Sequence, residues 1–402
     1  MSQKSFIERY SRQMLVPGIG LSGQLAFHSS TVLIIGCGGL GCPVALYLAA
    51  AGVGKLRVCD ADTVEASNLP RQILHRESAI GTSKAQSVAK SCADINSRVQ
   101  IEAVESLVTV DNILDLMTGV DVVVDATDNV VTRYLINDAA AIKKIPLVSG
   151  AALGWDGQVS VFTYNKTSPC YRCLYPQPPP ALAITNCDLA GVVGPVTGLI
   201  GSLQALQVLR ILAELQPACT ESLLTFSGTE PNKLFRQLKL RGRNPQCIAC
   251  GDQGLDAIYD ASTSKLKLDY IQFCGVQAQD DKNPDLNLLT DKDRITCKEL
   301  KDLLETDKEG TLLIDVRPAN QFEFCSIDGS HLIPIGDLTT QVQLISKLAT
   351  NSNDVIFICR RGNDSQLAVQ QFKQLLPDKR VRDLIGGLRA WAKLIDNEMP
   401  IY

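Results

Sequence analysis

The sequence predicts an α/β protein of two domains, a Rossmann-like parallel sheet first and a smaller α/β domain after it. Three observations carry that prediction. Thr31–Ile35, T-V-L-I-I, has the β-branched and apolar character of a buried parallel strand, and Gly36, Gly38 and Gly41 follow it in G-x-G-x-x-G spacing ahead of an apolar helical run, Cys42–Ala51. A second alternation of apolar strands and helices begins near Ile295, after a polar stretch. The length of 402 residues exceeds what one hydrophobic core usually serves.

Composition narrows the function classes. A hydrophobic share of 45% and a charged share of 20% are those of a soluble globular chain. A net charge of −4 gives no sign of a general nucleic-acid binder, so any basic site must be local. The opening residues, M-S-Q-K-S-F-I-E-R-Y, lack the apolar core of a signal peptide, and no apolar run suggests a membrane span, so a cytoplasmic protein is expected. In that compartment the 14 cysteines are metal ligands, nucleophiles or core fillers rather than a disulfide framework.

Taken in order, residues 6–30 start helical and polar and are broken by Pro17, Gly18, Gly20 and Gly23; Arg9 and Arg12 are exposed there, suited to solvation or to a neighbouring subunit. The glycine loop lets backbone N–H groups approach a phosphate oxygen, with the dipole of the next helix behind them. The second strand, Lys55–Cys59, ends at Asp60, whose carboxylate suits a ribose hydroxyl. A tight turn without a ligand is the plainer alternative. Asn68, Arg71 and Lys84 follow on separate segments and can converge on a triphosphate, Arg71 as a fork and Lys84 as a mobile point charge. Lys84–Ile95 is helical, Val99–Val104 a strand, Val110–Met117 a short helix and Gly119–Ala126 a third buried strand. At its end Asp128 and Asn129 either help to hold Mg²⁺ beside phosphate or cap the helical run Thr132–Ile142. Pro146–Gly150 is a strand, Gln158–Thr163 alternates like an antiparallel one, Leu199–Leu215 is an apolar helix, and Leu223–Ser227 and Leu234–Leu240 are late strands.

Cys170 and Cys173 form one C-x-x-C pair, and Cys247 and Cys250 another. Four thiolates in two such knuckles suit tetrahedral, structural zinc if the chain folds back to join them; a redox pair is the competing reading. Cys187 lies between them in a polar, glycine-flanked stretch, as a nucleophile or an inert thiol. Gly251–Asp293 is polar and is expected to link the domains, with room for short ordered pieces. Beyond it come a helix, Cys297–Leu304, a strand, Thr311–Ile314, and the strand Val355–Ile358 running into C-R-R-G-N-D-S. Cys359 thus sits in a tight loop feeding a helix, among backbone N–H groups and next to Arg360 and Arg361. That setting is expected to lower its pKa. A cysteine phosphatase would need an arginine where Ser365 stands.

R-Y-S-R-Q, G-C-G-G-L-G, D-A-D-T-V-E-A-S-N-L-P-R-Q, D-A-T-D-N and the paired C-x-x-C together resemble the adenylating proteins related to ubiquitin-activating enzymes, the ThiF/MoeB group. D-V-R-P, C-R-R-G-N-D-S and G-G-L-R-A-W resemble a rhodanese domain. The fusion in this order is similar to the molybdopterin-synthase adenylyltransferase/sulfurtransferase family. The resemblance implies a ThiF/MoeB-like adenylation domain with structural zinc over residues 1–250, a linker over 251–293 and a rhodanese domain over 294–402. It implies that ATP is held by Gly39, Asp60, Ser67, Asn68, Leu69, Pro70, Arg71, Lys84, Asp128 and Asn129, with Mg²⁺ on Asp128 and Arg12 reaching the site of a partner in a homodimer. Zn²⁺ would lie on Cys170, Cys173, Cys247 and Cys250. Cys187 would hold a carrier thioester or resolve an acyl disulfide, and Cys359 would carry persulfide. The implied partners are a small ubiquitin-like sulfur-carrier protein, of the MoaD-like or ubiquitin-related-modifier kind, and a cysteine desulfurase as sulfur donor. A non-catalytic carrier-docking scaffold and a nicotinamide-dependent dehydrogenase are the alternatives; the second leaves the Arg/Lys set and the Cys359 loop without a role.

Overall fold

A computed structural model describes residues 3–179, 191–230, 232–252, 254–275 and 287–402. The chain divides into two compact units, Met1–Asp281 and Lys282–Tyr402.

The first unit is built on an eight-stranded sheet of order β3-β2-β1-β4-β5-β6-β7-β8. Its parallel half comprises β1 (Thr31–Ile35), β2 (Lys55–Cys59), β3 (Gln100–Val104), β4 (Val122–Asp125) and β5 (Leu147–Leu153). Antiparallel strands β6 (Asp156–Phe162), β7 (Ser222–Ser227) and β8 (Phe235–Lys239) complete it. All four residues of β4 are buried, as both faces of a parallel sheet must be when helices cover them. The order reverses between β1 and β4, so the loops leaving their carboxyl ends flank a crevice where ligands of such sheets bind.

Helices α1 (Gln3–Met14) and α2 (Gly20–Ser29) precede the sheet. α1 docks through buried Phe6 and Tyr10, whose hydroxyl accepts from Asn96 Nδ2 at 2.9 Å. α3 (Gly41–Ala51) follows β1, α4 (Lys84–Ile95) lies between β2 and β3, and α5 is the single turn Ile113–Leu116, shorter than the helix expected over 110–117. α6 (Val130–Lys143) follows β4. The apolar helix expected from Leu199 starts at Gly194 instead and ends at Leu212, because Pro195 fits the first turn, where no N–H is needed. Among the described residues it is the one helix long and apolar enough to cross a membrane. Its buried Val196, Ile200 and Val208 belong to the first core, and buried Gln204 donates to the carbonyl of Asp125 at 2.8 Å.

The polar stretch expected to be linker is partly built into this unit. Hairpin strands β9 (Tyr259–Asp260) and β10 (Lys265–Leu266) and the short helix Tyr270–Cys274 lie within it. Leu266, Tyr270 and Cys274 are buried in the core around α6. Scattered buried anchors, which carry no periodicity, hold this segment.

The second unit is a five-stranded parallel sheet of order β11-β15-β14-β12-β13. Its strands are β11 (Arg294–Ile295), β12 (Thr311–Asp315), β13 (His331–Leu332), β14 (Asp354–Ile358) and β15 (Arg380–Leu384). The central β12 and β14 are buried at every residue, and Cys359 follows β14 directly.

Candidate active sites

The glycine loop closes the end of β1. Gly36 has φ +96°, and a Cβ there would lie 2.6 Å from the carbonyl oxygen of Ala126, so only glycine fits. Gly39 faces the helix Gly194–Leu212: a Cβ would come within 2.9 Å of Thr197 Oγ1. Asp60, at the end of β2, accepts from the Cys37 N–H at 2.7 Å and from the Asp62 N–H at 2.9 Å, tying the loop to the neighbouring strand. Burial pushes the Asp60 carboxyl up, against the lowering by Lys84.

Lys84 is the focus of charge. It is the first residue of α4, largely buried, and its Nζ donates to Asp62 Oδ2 at 2.8 Å. Burial alone would lower its pKa, but Asp60, Asp62 and Asp128 raise it, so it is a fixed cation. The lysine joins Asp62 directly and lies within the electrostatic reach of Asp60 and Asp128, residues from the ends of β2 and β4. Asp62, which spacing did not single out, is part of the same cluster.

Of the two residues after β4, Asn129 takes the capping role that the sequence left open. Asn129 caps α6, accepting from the Thr132 N–H at 2.8 Å. Asp128 is exposed. A buried network holds the loop that carries it. Arg133 Nε pairs with Asp125 Oδ2 at 3.0 Å, and Arg133 Nη2 donates to the carbonyls of Thr127 at 2.9 Å and Gly150 at 3.1 Å. Ser149 and Thr127 hydroxyls donate to the same Asp125 carboxylate. An arginine inside a helix carries no motif signal, so this support was not legible in the sequence.

The segment Ser67–Arg71 is folded on itself. Asn68 is buried and its Oδ1 accepts from the Glu65 N–H at 3.1 Å, so its side chain shapes the turn rather than projecting as a donor. Arg71 Nη1 donates to the carbonyl of Ser67 at 2.9 Å, and the Arg71 carbonyl accepts from Thr197 Oγ1 at 3.4 Å. Leu69 is half-buried; Ser67 and Pro70 are exposed. Arg12 is exposed near the end of α1. Beneath the glycine loop lies buried His75. Its Nε2 is 3.0 Å from the carbonyl oxygen of Cys37, to which it donates, and Ser87 Oγ donates to its Nδ1 at 2.9 Å. Burial, first of all, lowers its pKa.

The two cysteine pairs do come together. Cys170 Sγ lies 3.8 Å from Cys173 Sγ and 3.5 Å from Cys247 Sγ, Cys173 Sγ lies 3.4 Å from Cys250 Sγ, and all four sulfurs fall within 4.8 Å of one another. Tetrahedral zinc–sulfur bonds of about 2.3 Å put sulfurs about 3.8 Å apart, so the set is compatible with zinc. The first knuckle is anchored by Arg172, which pairs in a fork with buried Asp138 at 2.7 and 2.8 Å and lies over the rings of both Tyr134 and Phe273. Cys187 lies outside the described residues.

In the second unit the Cys359 loop has the shape expected of it. The Gly362 N–H donates to Cys359 Sγ at 3.1 Å, and Ser365 Oγ lies 3.2 Å from that sulfur. Its acidity differs from the expectation. The thiol is 2% exposed, and burial and then the Asp364 carboxylate push its pKa up, against the lowering by Ser365 and the loop N–H groups. The helix that should help an anion brings an acid in its own first turn.

Residues 10–249 match the ThiF family, and residues 296–394 match the rhodanese-like domain. The chain is 46% identical over 401 residues to the adenylyltransferase and sulfurtransferase MOCS3 of Aedes aegypti, covering 98% of this chain and 89% of that one. It is 44% identical over 404 residues to its counterpart in Culex quinquefasciatus, with the same coverage. Among solved structures, E. coli MccB with ATP superposes with a TM-score of 0.51 at 21% identity, over 60% of this chain and 74% of that one, a likeness of fold. With its glycine loop and charge cluster in one unit and its cysteine loop in the other, the chain belongs to the ThiF family, in the group of adenylyltransferase and sulfurtransferase enzymes that carry a rhodanese-like domain.

Proposed function

We propose that this enzyme uses ATP to adenylate the C-terminal glycine of a small ubiquitin-like sulfur-carrier protein, then converts it to a thiocarboxylate with sulfur carried on Cys359. The Lys84–Asp62 ion pair beside the glycine loop that Asp60 ties down, with Asp60 and Asp128 acting on the same lysine, is the observation that carries the reading. Loop N–H groups, Arg71 and Lys84 face the phosphates, and Asp60 serves the ribose, with Gly39 and the Ser67–Arg71 turn shaping the pocket. Asp128 supplies the carboxylate for Mg²⁺, which neutralises phosphate charge when bound. Arg12 of a second copy completes the site; exposed Leu15, Val16, Leu21 and Leu25 around it support a homodimer.

The carrier carboxylate attacks the α-phosphorus and pyrophosphate leaves, while the fixed cations stabilise the charge that builds. Persulfide on Cys359 attacks the acyl carbon of the adenylate, and AMP leaves. Cys187 is assigned the thiol that cleaves the resulting acyl disulfide, releasing the thiocarboxylate and leaving a Cys187–Cys359 disulfide for a reductant. The four-cysteine cluster holds structural zinc, with no position left for a substrate. The product would serve molybdopterin synthesis, tRNA wobble-uridine thiolation, protein urmylation or more than one of them, with a cysteine desulfurase as donor, in the cytoplasm.

ATP–pyrophosphate exchange with a purified carrier tests this. Wild type and Cys359→Ala exchange label, and Asp128→Ala loses at least about a hundredfold. No exchange with a molybdopterin-type or a tRNA-modifier-type carrier would overturn the reading.

A further inference from the structure

Tyr402, the last residue of the sequence, lies beside the Cys359 loop, and nothing in the proposed reaction uses it. The Arg360 guanidinium lies 4.8 Å from the centre of the Tyr402 ring. Phe324 packs against the same ring in a T-shaped pair, with centroids 5.1 Å apart and planes at 88°. The hydroxyl bonds to Arg317 Nη1 and donates to Gln321 Oε1 at 3.4 Å. Arg317 is itself immobile: it is 1% exposed, pairs with Asp315 at 2.6 Å and donates to the carbonyl of Cys325 at 2.7 Å. Burial, first of all, pushes the phenol above its usual range, so it stays neutral at working pH. A rigid arginine thus fixes an aromatic ring under a second arginine, the residue next to Cys359.

We propose that Tyr402 is a positioning residue for sulfur transfer, a clasp that keeps the Arg360 cation at the rim of the Cys359 loop to receive an anionic sulfur donor. The inference rests on the sulfur-carrying role of Cys359. A long arginine left free would spread its charge over many rotamers, and a ring held at cation–π distance selects one of them. The clasp is needed here because burial and Asp364 both oppose negative charge on Cys359. An anion arriving at this loop therefore depends on a cation held outside the thiol.

The test uses thiosulfate as the anionic donor and cyanide as acceptor, with the full chain. Cys359 thiolate attacks the outer sulfur, the S–S bond breaks and sulfite leaves with its electron pair; cyanide then takes that sulfur as thiocyanate and restores the thiolate. Tyr402→Ala should raise KM for thiosulfate about five- to tenfold and leave kcat within about twofold. Tyr402→Phe, which keeps the ring, should stay within about threefold of wild type. In an Arg360→Ala background Tyr402→Ala should add less than about twofold, because the clasp then has nothing to hold. An unchanged KM in Tyr402→Ala, or penalties that multiply in the double variant, would overturn the proposal and leave sulfur transfer standing. Absence of thiocyanate from wild type would overturn the sulfur-carrying role of Cys359 and the clasp with it.

Discussion

At the scale of single residues, burial decides what each titratable group can do. Cys359 sits in a loop whose N–H groups favour a thiolate, yet desolvation and Asp364 outweigh them, and its pKa lies above the ordinary 9.0. Sulfur uptake should therefore keep rising with pH through neutrality. Asp364→Asn, which removes one raising charge and keeps the shape, should move the profile of persulfide formation towards lower pH. His75 shows the opposite shift, down from 6.5, because it is buried under the glycine loop. As pH falls below about 6.5 the unfolded chain takes up this proton before the folded one does, so stability present above that pH is lost as pH falls through the folded value. His75→Gln should flatten that part of the acid dependence, measured as the urea midpoint between neutral and mildly acidic pH.

At the scale of elements, the sites are held by buried ion pairs that the flanking strands and helices bring together. α6 supplies Arg133 to the Asp125 carboxylate at the end of β4, and Asp128 rides on the loop they brace. Arg133→Ala would leave Asp125 buried without its partner, at a cost of about 3–5 kcal/mol, read from equilibrium unfolding. The short helix Tyr270–Cys274 is tied to α6 by the Tyr270 hydroxyl, which donates to Asp138 at 2.8 Å. Tyr270→Phe should lower the stability of the first unit by about 1.5–3 kcal/mol, the loss of a hydrogen bond to a charged acceptor. That outcome would mark the segment as part of the adenylation unit; an unchanged midpoint would return it to the linker.

At the scale of the whole molecule, two units with separate sheets and separate cores should unfold in separate calorimetric transitions. The four sulfurs of the cysteine cluster all belong to the first. A strong zinc chelator, or Cys170→Ser, should lower the first transition and leave the second where it is. Movement of both together would mean that the units fold as one.

The sequence by itself determined the α/β class, the glycine loop, most strands to within a few residues, the two knuckles and the Cys359 loop. These are local: strand alternation, glycine spacing and C-x-x-C pairs are written in adjacent residues. Only the tertiary structure separated Asp128 from Asn129, turned Asn68 into its own turn, drew Leu255–Gly275 into the first unit and raised the Cys359 pKa. It alone also brought Asp62 to Lys84, Arg133 to Asp125 and Tyr402 to Arg360. Each of these depends on which distant side chains share a buried volume, and on the cost of desolvating charge there, neither of which leaves a period or a spacing in the chain.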